Sequence, residues 1–253
     1  MKTEIPGLGS SDTKLRIAYI EEPPFYWTDE NQLVKGADIE LAELVLRAIG
    51  VTTIEYVLTT FEELLPGVRA GRWDMNVPIF VTSERAKDAA FSLPVWSLGD
   101  GFIVRHGNPK TLTSYKSVVM RRDARLGLIP GQVQVDAAKL AGVSDSQIMM
   151  FNSQPEATAA LLAGKIDAFA ATAVGNHVTA HANPELEAVA FDSSEKAPVG
   201  AFSFSKNNQN LLQAVNAQLR AYLGSTDHRT RMAKYGITAN EIDSVVVDNM
   251  PNL

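Results

Sequence analysis

Leu15-Arg16-Ile17-Ala18-Tyr19-Ile20 runs straight into Glu21-Glu22-Pro23-Pro24-Phe25-Tyr26-Trp27, and the rest of the chain is best read outward from this junction. The apolar, partly β-branched run predicts a strand. Proline has no N–H and a fixed φ, so Pro23-Pro24 should end that strand and stiffen the turn that follows. A stiff turn can hold a carboxylate and an aromatic face in fixed relation, which suits a ligand with a positive, partly apolar group. The competing reading is that the three aromatics form the first layer of the core.

Downstream, strand and helix patterns alternate. Ile39, Leu41, Leu44, Val45 and Ala48 fall at helical spacing before Gly50, and a strand is expected near 54–58. Thr60 and Glu63 have capping-box spacing and open a helix over 61–70, and a short strand follows over 73–77. Thr82 or Ser83 should cap a short helix near 84–89, and a strand is expected over 102–104. The pattern then restarts: strands near 125–129, 147–151 and 166–171 alternate with helices over 133–141 and, from the Ser153/Glu156 box, to Ala163. A strand near 200–205 and an amphipathic helix over 210–223 close the series. Such alternation argues for α/β architecture with largely parallel sheets. Ala70-Gly71-Arg72-Trp73-Asp74 and Ala163-Gly164-Lys165-Ile166-Asp167 form a weak internal repeat. Two similar lobes would leave a cleft between the carboxyl ends of their strands, where open α/β sheets bind ligands.

Composition narrows the function classes. A chain of 253 residues fits one large domain or two small lobes. The net charge is -6 with no Lys/Arg-rich run, so the footprint of a nucleic-acid binder is missing. Zero cysteines exclude disulfides, thiol catalysis and thiolate metal sites. The four histidines are scattered; only His177 and His181 stand at i, i+4, with no glutamate between them, so no metal site is expected. Serine-nucleophile elbows, P-loops and Gly-x-Gly-x-x-Gly turns are absent as well, and no catalytic residue or cofactor is expected.

The remaining candidates are recognition groups. Arg85, in the short helix after Thr82, can take a carboxylate bidentately, or can pair on the surface with Glu84 or Asp88. Phe25, Phe61 and Phe80 each stand at or beside the carboxyl end of a predicted strand. If they share the cleft they form a box for a cation, with Glu22 as counter-charge. Tyr26 and Trp27 are further candidates from the same turn.

With these residues collected, the chain resembles the substrate-binding proteins of ABC importers, in the polar-amino-acid group called family 3. The resemblance covers nearly all of 15–237. It rests on the Pro-Pro-Phe turn, on Gly36-Ala37-Asp38-Ile39-Glu40-Leu41, on Leu65-Pro66-Gly67-Val68-Arg69-Ala70-Gly71, and on Phe80-Val81-Thr82-Ser83-Glu84-Arg85. Phe91-Ser92-Leu93-Pro94-Val95 and Leu162-Ala163-Gly164-Lys165-Ile166-Asp167 continue it. The resemblance implies a periplasmic-binding-protein type II clamp of two lobes joined by two crossover strands and closing by a hinge. Lobe one would comprise 13–102 and 200–253, lobe two 103–199, with 1–12 a leader. It further implies that Arg85 holds a ligand carboxylate, and that Asp38, Glu40 and Asp74 are structural.

Two departures stand out. Thr172 occupies the position where the group usually carries an amine-binding aspartate, and Gly131-Gln132-Val133-Gln134 replaces a Gly-Thr or Gly-Ser turn. Within the group, the pattern resembles that of ectoine- and hydroxyectoine-binding proteins, which also lack the aspartate. Carried over, Glu22 would face a delocalised cation, Phe25, Phe61 and Phe80 would box it, and Arg85 would clamp the carboxylate. Gln132, Val133 and Thr172 are the positional candidates in lobe two. The expected function is capture of a small zwitterion (ectoine, hydroxyectoine or betaine-like) by a monomeric periplasmic protein that delivers it to an ABC permease. The alternatives are a polar or cationic amino acid or an opine as ligand, and a cyclohexadienyl dehydratase-like enzyme, in which Glu22 would have to be the general acid.

Overall fold

In the computed structural model, which describes residues 14–192 and 197–249, the opening apolar run forms β1 (Lys14–Tyr19). The proline turn leads to a short hairpin, β2 (Trp27–Thr28) and β3 (Val34–Lys35), then α1 (Ala37–Ala48) and β4 (Thr53–Leu58). Next come α2 (Phe61–Arg69), β5 (Met75–Phe80), α3 (Arg85–Asp88), β6 (Ala90–Phe91) and β7 (Trp96–Ser97). A second series comprises β8 (Asp100–Arg105), α4 (Tyr115–Met120), β9 (Leu126–Leu128), α5 (Val133–Leu140) and β10 (Ile148–Met150). It ends with α6 (Gln154–Leu162), β11 (Ala168–Thr172), α7 (Ala173–Ala182) and β12 (Leu186–Ala190). The chain then returns through β13 (Val199–Phe204) to α8 (Gln209–Tyr222), α9 (Thr226–Ala233) and α10 (Ala239–Asn249). The expected leader, 1–12, lies outside the described residues.

Two sheets result. One has the order β4-β1-β5-β13-β6, with β7 also on β13; the other has β10-β9-β11-β8-β12. Each keeps three parallel strands, while β13 and β8, which enter from the other lobe, run antiparallel to their neighbours. The sheets are therefore mixed, because a chain that leaves one lobe enters the other heading the opposite way. Sheet membership also changes earlier than the expected boundary at 102. Asp100–Arg105 pairs with β11 from Thr172↔Asp100 onward, whereas Ser97 still pairs with Val199 in the first sheet.

Packing follows the strand period. In the second sheet Phe102, Val104, Ala168 and Ala170 face one core, and Ile103, Phe169 and Ala171 face the other. The internal repeat has one structural meaning in both lobes. Gly71 and Gly164 end their helices at φ 72° and 69°, where a side chain would strain the backbone. Asp74 and Asp167 then each accept a hydrogen bond from a backbone N–H, of Arg16 and Arg125 respectively, at 2.8 Å. The expected capping boxes are only partly made. Ser153 Oγ accepts from the Glu156 N–H at 3.3 Å, but Thr60 makes no side-chain cap: the Glu63 N–H donates to the Thr60 carbonyl at 3.1 Å, and the Glu63 carboxylate pairs with Arg72.

Candidate functional site

The proline turn after β1 is built to carry side chains. Glu22 N–H donates to Tyr26 O at 2.8 Å and Phe25 N–H to Glu22 O at 3.0 Å, which closes the turn on itself. The start of α1 grips it from outside: Ala37 and Asp38 N–H donate to Pro24 and Phe25 carbonyls at 3.0 and 3.1 Å. Gly36 permits this approach, since a Cβ there would sit 2.1 Å from Phe25 O, at φ 136°.

One cavity of about 350 Å³, its open mouth included, lies between the lobes. The first lobe contributes Glu22, Phe25, Tyr26, Phe61, Pro78, Phe80, Arg85, Trp96 and Leu98; the second contributes Gln132, Val133, Gln134 and Thr172. Nine of the ten residues proposed from sequence thus line the same space. Trp27 does not: it packs edge-on against Tyr235 with ring centroids 6.2 Å apart. An extended backbone alternates its faces, so with Tyr26 turned inward, the next residue points away.

The aromatic walls depend on Trp96. Phe80 meets Trp96 edge-on at 5.4 Å, and Phe25 lies 6.0 Å from it. The indole N–H donates to the buried Asp38 carboxylate at 3.1 and 3.3 Å. Burial holds the Asp38 carboxyl well above its ordinary range, even though the indole bond opposes this. Phe61 also receives the Arg85 guanidinium, which lies 4.9 Å from its ring centroid.

Arg85 is the first residue of a four-residue helix, too short to offer an anion site at its start. Its guanidinium is fixed by carbonyls instead, donating to Phe80 O in its own lobe and to Gly131 O across the cleft, both at 2.8 Å. Burial lowers its pKa to about 10, so it stays charged at neutral pH. Glu22 is 7 % exposed. Its carboxylate accepts from Tyr26 OH at 3.3 Å and, across the cleft, from Gln132 Nε2 at 3.1 Å. Desolvation pushes its pKa up to about 7, against the two hydrogen bonds and the Arg85 charge. Each lobe thus reaches the other through residues of the cavity wall.

In lobe two, Thr172 caps α7, its hydroxyl accepting from Gly175 N–H at 3.2 Å. Gln134 escaped sequence reading. Its amide Nε2 donates to Asp100 Oδ1 at 3.0 Å, and the other Asp100 oxygen accepts from Tyr115 OH at 2.8 Å. Burial raises the Asp100 pKa against both of these bonds. The only hint in the sequence is that Gln134 follows Gln132 by two residues. Among the described residues no group of three His, Asp or Glu is placed to hold a metal, and His177 and His181 are exposed on α7. No helix among them is long and apolar enough to cross a membrane. The wall therefore offers a guanidinium, a buried carboxyl, aromatic faces and amide carbonyls: groups that bind and orient.

Known proteins share this fold. Residues 15–237 match the bacterial extracellular solute-binding proteins, family 3. Over 240 residues the chain is 28% identical to a probable amino-acid ABC transporter periplasmic-binding protein, y4tE, of Sinorhizobium fredii, covering 91% of this chain and 79% of that protein. Among solved structures, EhuB in complex with hydroxyectoine superposes with a TM-score of 0.80 at 26% identity, covering 92% of this chain and 94% of that one. An ancestral arginine-binding protein bound to arginine gives 0.77 at 25% identity, covering 88% and 97%. With a match over 15–237 and a two-lobed α/β clamp with a cleft between its lobes, the chain belongs to the bacterial extracellular solute-binding proteins of family 3, the substrate-binding proteins of ABC importers.

Proposed function

We propose that this solute-binding protein captures a small zwitterion whose cation is delocalised or substituted, of the ectoine, hydroxyectoine or betaine kind, and delivers it to an ABC permease. The observation that carries the reading is the co-location of Arg85, Glu22 and the Phe25–Phe80–Trp96 walls in one cavity between the lobes. Arg85 supplies a forked donor for the carboxylate. The aromatic faces and Glu22 answer the cation, whose charge would repay the desolvation that now holds Glu22 near neutrality. The likeness to EhuB in complex with hydroxyectoine supports the same ligand class. Sheet membership supports lobes made of 14–98 with 199–249, and of 100–190, hinged at the two crossings. We take the protein to act as a monomer in the periplasm.

A polar or cationic amino acid is the second reading. It is favoured by the likeness to the arginine-bound ancestral protein and by Glu22, which can receive an amine from the first lobe in place of the aspartate missing at Thr172. A carboxyl titrating near neutrality also has the pKa of a general acid, so prephenate belongs among the test compounds. The test is a thermal-shift and calorimetry panel of ectoine, hydroxyectoine, glycine betaine, the common amino acids, opines and prephenate. A ligand at 100 times its dissociation constant stabilises by about 2.7 kcal/mol, well within reach of such a screen. Shifts with ectoines or betaines and none with amino acids support the proposal. A shift confined to amino acids replaces it with the second reading, and turnover of prephenate replaces both.

A further inference from the structure

Resting on that reading, we infer that the cation this cleft selects must carry N–H donors, an amidinium, guanidinium or protonated amine, and that Gln134, aimed by Asp100, is the lobe-two residue that reads them. Three observations converge. First, both cavity glutamines have committed their amide nitrogens to carboxylates: Gln132 Nε2 to Glu22 at 3.1 Å and Gln134 Nε2 to Asp100 at 3.0 Å. An ionised carboxylate accepts only, so each amide turns an N–H of its NH2 to the acid, and its Oε1 stays an acceptor for the cavity that both residues line. Second, the aim of Gln134 is built in depth. Its side chain is buried at 3 % exposure, and Asp100 is itself held on its far oxygen by Tyr115 OH at 2.8 Å. Third, two further polar groups of the cavity wall can accept. Glu22 is a carboxylate, and the Thr172 hydroxyl retains a lone pair after accepting from Gly175 N–H.

A quaternary ammonium has no hydrogen to offer such a wall. It would satisfy the aromatic faces and leave Gln134 Oε1 desolvated without a donor. Sites built to hydrogen-bond a ligand N–H reject analogues that lack it far more strongly than apolar pockets reject a change of size. The missing aspartate at Thr172 is thus made up for by an amide two residues beyond Gln132, on the start of α5, whose polarity is set by an acid on β8.

The test is calorimetry on the full chain with three probes: ectoine (an amidinium), arginine (a guanidinium) and glycine betaine (a quaternary ammonium). The wild type should bind ectoine or arginine about a hundredfold tighter than glycine betaine. Gln134→Leu should narrow that ratio by about tenfold, and Gln134→Met serves if the leucine variant does not fold. Asp100→Asn lets the amide reverse, since an asparagine can donate to Oε1, and should narrow the ratio in the same way with an unchanged far-ultraviolet spectrum. Glycine betaine binding as tightly as either N–H cation overturns the inference and leaves the zwitterion reading standing. A folded Gln134 variant with the wild-type ratio overturns the role of Gln134. Failure of all three probes to bind overturns the parent reading and this inference with it.

Discussion

Asp38 holds Trp96: the indole N–H lies between the two carboxylate oxygens, 3.1 and 3.3 Å away, with the acid fully buried beneath the cleft. The same residue, through its backbone N–H, binds the carbonyl of Phe25. One position at the start of α1 therefore fixes two of the three aromatic walls, although Asp38 does not itself line the cavity. Asp38→Ala should leave the indole unpaired, lowering stability by about 1–3 kcal/mol and weakening the ligand about tenfold. Asp38→Asn retains an oxygen acceptor and should recover most of the affinity. Calorimetry on both variants decides the matter: equal affinities for alanine and asparagine would show that the hydrogen bond does not position Trp96.

Arg85 has two jobs that can be separated. Its guanidinium meets carbonyls in both lobes and lies over Phe61, so it is fixed before any carboxylate arrives. Arg85→Ala should cost about 2–5 kcal/mol of binding, which takes a micromolar ligand to a dissociation constant between tens of micromolar and millimolar. Arg85→Lys keeps the charge but not the fork, and should fall between the two. A lysine variant with wild-type affinity would show that charge alone is read.

How far the sequence foretold this site depends on where each residue gets its position. Glu22, Phe25, Phe61, Phe80 and Arg85 stand next to the ends of strands whose periodicity is local, so their place at the cleft could be argued from spacing. Trp96 lies in, and Leu98 follows, a strand of two residues that exists only because β13 returns from the far end of the chain to pair with it. No local pattern reports such a pairing. Gln134 was hidden for a related reason, since its partner Asp100 is 34 residues away. Trp27 was misplaced because composition groups it with Phe25 and Tyr26, while it stands past the turn on β2 and packs against Tyr235. The helix α7, rich in small residues and lacking a polar stripe, has no pattern to announce it, yet its first turn is what Thr172 caps.

Glu22 makes the protein pH-sensitive in two opposed ways. Its ordinary pKa of 4.5 rises to about 7 in the folded state through burial. Below pH 4.5 both folded and unfolded chains hold the proton. Between the two values the folded state keeps a proton that the unfolded state has lost, so stability falls as pH rises through this window, by about 3 kcal/mol at most. Asp38 and Asp100 are raised as well and act in the same direction. The ligand-free melting temperature should therefore be lower at pH 8 than at pH 5.5. The stabilisation by a cationic ligand should run the other way, since only the ionised carboxylate attracts it. Glu22→Gln should make both slopes shallower. Parallel slopes with and without ligand would show that Glu22 does not face the cation.

Gly200 carries the last prediction. It lies in β13 with Phe80 as its partner on one side and Trp96 on the other, where its own carbonyl accepts from Val95 N–H at 2.8 Å. A Cβ at this position would come within 2.0 Å of the Trp96 ring. The indole lies flat over bare backbone, and Gly200→Ala must push it toward Phe25 and Phe80. An added methyl in a packed site costs about 1–3 kcal/mol of stability, and here the displaced ring is also a wall of the cleft, so affinity should fall with it. Gly99→Ala is the control, because a methyl there meets nothing within 4 Å. Melting temperatures and calorimetry of the two variants separate the cases. A Gly200→Ala protein that is destabilised yet binds normally would mean that Trp96 supports the cavity without shaping what it holds.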